Sequence, residues 1–122
     1  MNYLIVSLGA ALGGGLRYWF SNIVYKYLPA TFPYGTMLVN VLGSFILGLI
    51  MFHFDQRELL SPNVKIFLTV GFCGGFTTFS SFSYETIVLF RDSQFSSGLL
   101  NIFLSLILSF AGLYLAYLIS KI

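Results

Sequence analysis

Apolar residues run along this chain in four long blocks, at about 3–25, 33–54, 64–90 and 97–119, separated by short polar turns. Each block reaches the roughly 17–25 residues that a helix needs to cross a bilayer. Polar positions inside the blocks are ordered. In the second block Thr36, Asn40 and Ser44 fall four apart, and in the fourth Asn101, Ser105 and Ser109 do the same. Four-residue spacing puts such side chains on one helical face. The third block breaks the pattern at GFCGGFTTFSSFSYE, Gly71 to Glu85. Gly in a helix interior costs roughly 1 kcal/mol relative to Ala, and Thr is mildly unfavourable, so this stretch makes a poor continuous helix. The pattern predicts an all-α membrane protein. It is one domain, residues 1–122, of four transmembrane helices, the third broken mid-membrane.

Composition strengthens that reading and removes others. Hydrophobic residues make up 57% and charged residues 8%, with a mean hydropathy of +0.89, whereas soluble domains carry about 25% charged residues. A net charge of +2 is too thinly spread for a nucleic-acid surface. The one cysteine, Cys73, excludes an intrachain disulfide, and the one histidine, His53, leaves a metal cluster or catalytic triad without its parts. The chain is not read as an enzyme. Its first apolar block has no basic leader and no small-residue cleavage site, so it reads as a span and not as a signal peptide.

Charge also bears on orientation. Four spans put both termini on one side with Arg57, Lys65 and Lys121, against Lys26 and Arg91 on the other. So small a bias lets a chain insert either way up, which makes an antiparallel pair of identical subunits possible.

The broken stretch is where chemistry is expected. Unwound carbonyls near Gly74 and Thr77, converging from two copies, form a natural site for a cation such as Na⁺. Phe79 and Phe82 lie three apart on one face, and the positive edges of their rings can hold a small anion weakly. Thr78, Ser80, Ser81 and Asn40 can add hydroxyl and amide donors beside them. Ser105 and Ser109 supply the stripe of the fourth span. Arg17, followed by Tyr18, Trp19 and Phe20, reads either as an interfacial snorkelling residue or as a cation drawing anions to a vestibule. Glu85 is a carboxylate within a span: a proton-coupling group, an interfacial anchor or an organiser of water beside the path.

At these residues the chain resembles the small fluoride channels of the Fluc (CrcB) family over essentially its whole length. The likeness rests on GGGLRY from Gly13 to Tyr18, on Pro33, Gly35, Thr36, Asn40 and Gly43, on GGFTTFSSFSYE from Gly74 to Glu85, and on the polar track of the fourth block. The resemblance implies an antiparallel dual-topology homodimer in the inner (plasma) membrane. It implies two fluoride pathways and a structural Na⁺ at the dimer centre, held by carbonyls of Gly74 and Thr77. Phe79 and Phe82 would line the path with Asn40, Ser80 and Ser81, and Arg17 would serve the vestibule. The implied role is passive export of cytoplasmic fluoride. The family usually has Tyr where this chain has Asn101, so that residue's part is open. The alternative is a proton-coupled small multidrug exporter of dual topology, with Glu85 as its coupling carboxylate. Such exporters carry a carboxylate in the first span, and this chain has none there.

Overall fold

The computed structural model describes all 122 residues, and every regular element in it is helical. The first helix, Asn2–Tyr27, is 26 residues long, or ~39 Å at an α-helical rise of about 1.5 Å per residue. The second runs as an α-helix over Tyr34–Gly48, widens to a π-helix over Leu49–Phe54 and ends in a 3₁₀ turn, Asp55–Arg57. The third rod comes in two halves. Its first half comprises Pro62–Ile66, a π-helical Phe67–Cys73 and a closing turn, Gly74–Phe76; its second half is Phe79–Arg91. The last helix is Phe95–Ser120. Three of the four rods, Tyr34–Arg57, Pro62–Arg91 and Phe95–Ser120, are long and apolar enough to cross a membrane. The first is as long but falls short of that apolar standard, because Gly13, Gly14, Gly15 and Arg17 interrupt its hydrophobic run.

Local sequence sets the boundaries. Pro62 occupies the first turn of the third rod, where its missing N–H is harmless, and the Ser61 hydroxyl accepts from the Val64 amide at 3.3 Å. Glu58 and Ser93 take left-handed backbone conformations, φ 56° and 61°, and turn the chain after the second and third rods. Arg57 ties two rods together at the membrane edge. It donates to the His53 carbonyl at 2.9 Å and to the Ser120 carbonyl at 3.0 Å, capping the last helix where the macrodipole is negative. Lys65 and Asp55 pair at 3.1 Å across the loop between the second and third rods.

Inside the bundle, contact depends on missing side chains. Gly9 of the first helix and Gly71 of the third rod meet backbone to backbone: a Cβ on either would sit 3.0 Å from the other's Cα. One turn on, a Cβ at Gly13 would strike the Phe72 carbonyl and lie 2.8 Å from the Phe76 amide nitrogen, while one at Gly75 would lie 2.5 Å from the Ala10 carbonyl oxygen. Without a hydrophobic driving force between helices in lipid, such close approach supplies the dispersion contacts that hold them. On the other side Gly48 and Gly112 let the second and last helices approach in the same way. Large apolar side chains, among them Leu4, Leu8, Leu12, Phe103, Ile107 and Phe110, point outward and remain exposed. That arrangement suits a solvent of lipid tails.

The seam makes a direct forecast. Gly13→Ala drives a methyl into backbone and should destabilise the purified protein by about 1–3 kcal/mol, the usual range for overpacking. Gly15 has nothing within 4 Å of its Cβ position, so Gly15→Ala should hold or raise stability. Thermal unfolding in detergent, followed by loss of monodisperse protein, separates the two; equal midpoints would remove the seam from the account.

Candidate functional site

The third rod stops being a helix at two residues. Thr77 (φ −88°, ψ 160°) and Thr78 (φ −151°, ψ 118°) are extended, and the α-type ladder ends with the Thr77 amide donating to the Cys73 carbonyl at 3.0 Å. In a membrane the backbone groups released by such a break must find partners within the protein. Side chains from two other helices supply them.

Asn40 is the first. Its Oδ1 accepts from the Thr78 amide at 2.7 Å and its Nδ2 donates to the Thr78 carbonyl at 3.0 Å. One side-chain amide thus pairs both backbone groups of one residue, as a neighbouring strand would. Arg17 is the second. Its Nε donates to the Gly75 carbonyl at 3.0 Å, placing a cation at the C-terminal end of the first half-helix, where helix dipoles are negative. The threonines complete the junction. Thr77 Oγ1 donates to the Cys73 carbonyl at 2.8 Å, and Thr78 Oγ1 accepts from the Ser81 amide at 3.2 Å, capping the second half-helix. Gly43 lets this happen: a Cβ there would collide with the methyl of Thr77.

The stripe on the second helix is therefore a docking face for both halves of the third rod. Asn40 and Gly43 hold the break, and one turn earlier the Thr36 hydroxyl donates to Glu85 Oε1 at 2.8 Å. The other oxygen, Glu85 Oε2, is buried without a partner.

Beside the break lies a half-open groove of about 330 Å³. Of the residues singled out from sequence, it brings together Asn40, Gly74, Thr77, Thr78, Phe79, Phe82, Ser105 and Ser109. The Phe79 and Phe82 rings both line the groove and stand 5.6 Å apart with planes at 49°. Phe79 is 76% exposed. Ser80 and Ser81 lie in the first turn of the second half-helix but do not line the groove; Ser80 Oγ is 3.4 Å from Thr78 Oγ1. Arg17 stands away from it, on the side of the first helix. Glu85 lies in a second cavity of about 380 Å³, with Tyr25, Thr31, Tyr84, Asp92 and Gln94.

Electrically the break has two ends. The first half-helix stops with its carbonyls, the negative pole, and the 13-residue second half-helix begins with its amides, the positive pole. A cation suits the first end and an anion the second. Gly74 is exposed on the groove, and a Cβ there would meet only the Thr69 carbonyl, at 4.0 Å. The chain holds no cluster of three or more His, Cys, Asp or Glu side chains suited to a metal, so carbonyl oxygens are the cation donors this region offers.

Several groove residues carried no site assignment from sequence, though Ser44 stood in the polar stripe and Cys73 in the broken stretch. Ser44, Thr69 and Cys73 line the groove, and Thr86, buried between exposed or half-exposed neighbours, links the second half-helix to the last helix. The signal for Ser44 was its place in the stripe. Thr86 had a weaker one, its four-residue offset from Phe82.

Comparison with known proteins covers nearly all of this framework. Residues 4–117 match the family described as CrcB-like protein, Camphor Resistance (CrcB). A protein of Dehalococcoides mccartyi named fluoride-specific ion channel FluC is 41% identical over 122 residues, covering 97% of this chain and 94% of its own. Its namesake in Magnetococcus marinus is 43% identical over 117 residues, covering 96% and 95%. Another, in Clostridium perfringens, is 47% identical over 103 residues, covering 84% and 80%. With the family match spanning both half-helices, the break between them and the helices that clamp it, the chain belongs to the CrcB-like family.

Proposed function

We propose that this protein is a fluoride channel that lets cytoplasmic fluoride leave the cell passively across its inner membrane. The observation that carries the reading is the groove beside the break, where the rings of Phe79 and Phe82, the start of a half-helix and the Asn40 side chain share one surface. Weak, multiple donors of this kind suit an ion that must also leave. The naming of the relatives as fluoride-specific ion channels supports fluoride as that ion. An interior-negative potential drives an anion outward by about 2.3 kcal/mol per 100 mV.

One chain leaves the groove open on a side, with Phe79 and Gly74 uncovered. A second copy in antiparallel orientation would close it, and the two-fold axis then generates two equivalent pathways. Gly74 and Thr77 would hold a structural Na⁺ at the centre through their carbonyls. Uncharged oxygen donors at the negative pole of a half-helix fit that ion, and two copies supply more of them than one. When bound, the cation supplies charge that offsets the two facing helix ends. Arg17 adds positive charge near the break, Ser80 and Ser81 extend the hydroxyl supply at the half-helix start, and Glu85 orders the second cavity.

The proton-coupled exporter reading draws no support from this geometry. Glu85 is the only carboxylate well inside a span, and one of its oxygens is bound to Thr36.

Three outcomes are expected. Phe79→Ile and Phe82→Ile keep the bulk but lose the aromatic edge, and each should lower fluoride efflux from liposomes about tenfold or more. A fluoride electrode, with chloride as control, measures this; unchanged efflux in both would end ring coordination. Asn40→Asp keeps the shape, adds a charge and removes the donor to the Thr78 carbonyl, so efflux should fall by at least about tenfold while the protein stays monodisperse. Wild-type rates would take Asn40 off the path. Preparing the protein with N-methyl-D-glucamine in place of Na⁺ should lower its activity or its dimer fraction, and re-adding Na⁺ should restore both. Full activity in protein shown by elemental analysis to lack Na⁺ would exclude the ion.

A further inference from the structure

A buried chain of hydrogen bonds runs from the last helix into the second half-helix. Ser105 Oγ donates to Asn101 Oδ1 at 3.2 Å, and Asn101 Nδ2 donates to Thr86 Oγ1 at 2.9 Å. Thr86 Oγ1 donates in turn to the Phe82 carbonyl at 2.7 Å. Its direction is fixed by proton count. Thr86 has one hydroxyl proton and commits it to Phe82, so it can only accept from Asn101, and the Asn101 oxygen must then face Ser105. Asn101 is 1% exposed, with Val39 the largest side chain buried so fully.

Two effects meet at the groove. The chain ends on the carbonyl of Phe82, one of the two groove phenylalanines, and so fixes the half-helix turn that carries that ring. At its other end Ser105 lines the groove but spends its proton on Asn101. With its proton committed, Ser105 has none to donate to the groove, and the Ser109 hydroxyl remains the available donor on that helix.

We propose that Asn101 is a positioning residue: acting through Thr86, it sets the placement of Phe82 and withholds the Ser105 proton from the groove. The part concerning ion passage rests on the fluoride-channel reading; the part concerning the ring does not. Removing the amide leaves Thr86 an unmet acceptor and Ser105 free to turn. Inside a low-dielectric bundle one such bond shifts a local equilibrium about three- to tenfold.

The test uses full-length protein with 4-fluorophenylalanine at position 82, and separately at position 52 as a remote reporter. In Asn101→Leu the fluorine resonance of residue 82 should shift or broaden while that of residue 52 stays in place. Thr86→Val removes the same link from the other side and should reproduce the change, and the double variant should add nothing further. Efflux should fall about three- to tenfold in Thr86→Val, which disturbs the ring alone, and by less in Asn101→Leu and the double variant, where the released Ser105 donor opposes the fall. A resonance at residue 82 that stays put in whichever of the two variants folds overturns the proposal, whatever happens to efflux. Equal shifts at residues 82 and 52 also overturn it, because they mark general loosening. Wild-type protein that passes no fluoride would sink the channel reading alone, since the ring measurement stands without transport.

Discussion

A backbone that leaves helical form inside a membrane must carry its own hydrogen-bond partners, and most of this structure can be traced to that demand. Two extended residues, Thr77 and Thr78, release donors and acceptors that lipid cannot satisfy. Each unmet group would cost several kcal/mol. Asn40 takes both groups of Thr78, Arg17 takes the Gly75 carbonyl, and the threonine hydroxyls serve the flanking turns. The break is therefore braced by side chains from two helices at Gly75 and Thr78.

Holding partners in place requires helices that approach closely. The Gly9–Gly71 and Gly13–Phe72 contacts bring the first helix against the third rod, which is what lets Arg17 reach Gly75. Gly43 does the same for the second helix and Thr77. Packing and polar satisfaction are thus one design. A methyl group at any of these glycines would move a hydrogen-bonding side chain as well as a helix.

Much of this was legible in the sequence, and the limits have physical causes. The break could be read from Gly74, Gly75, Thr77 and Thr78, because glycine and threonine weaken a helix wherever they cluster. The stripe of Thr36, Asn40 and Ser44 could be read from its spacing, but spacing cannot say whether a stripe faces a pore or another backbone. Asn40 does both: it lines the groove and clamps the break. Arg17 was open between interface and vestibule, and its bond to Gly75 is a third arrangement that only tertiary packing reveals. Ser80 and Ser81 looked equivalent to their phenylalanine neighbours, yet a helix turns about 100° per residue and carries them off the groove. Thr86 had only its four-residue offset from Phe82 to mark it. Its importance arises from Asn101, distant in sequence and adjacent in space.

The wide π-helical segment Phe67–Cys73 sits just upstream of the break. A wide turn accommodates an extra residue, so every later side chain lags by about one residue, or ~100°, around the axis. Were that segment wound as an ordinary α-helix, Gly74 would swing to where Gly75 now meets Ala10, and the thiol of Cys73 would take the open face. The angular phase of the whole junction is thus stored in a local overwidth of the coil, several residues before the chain unwinds.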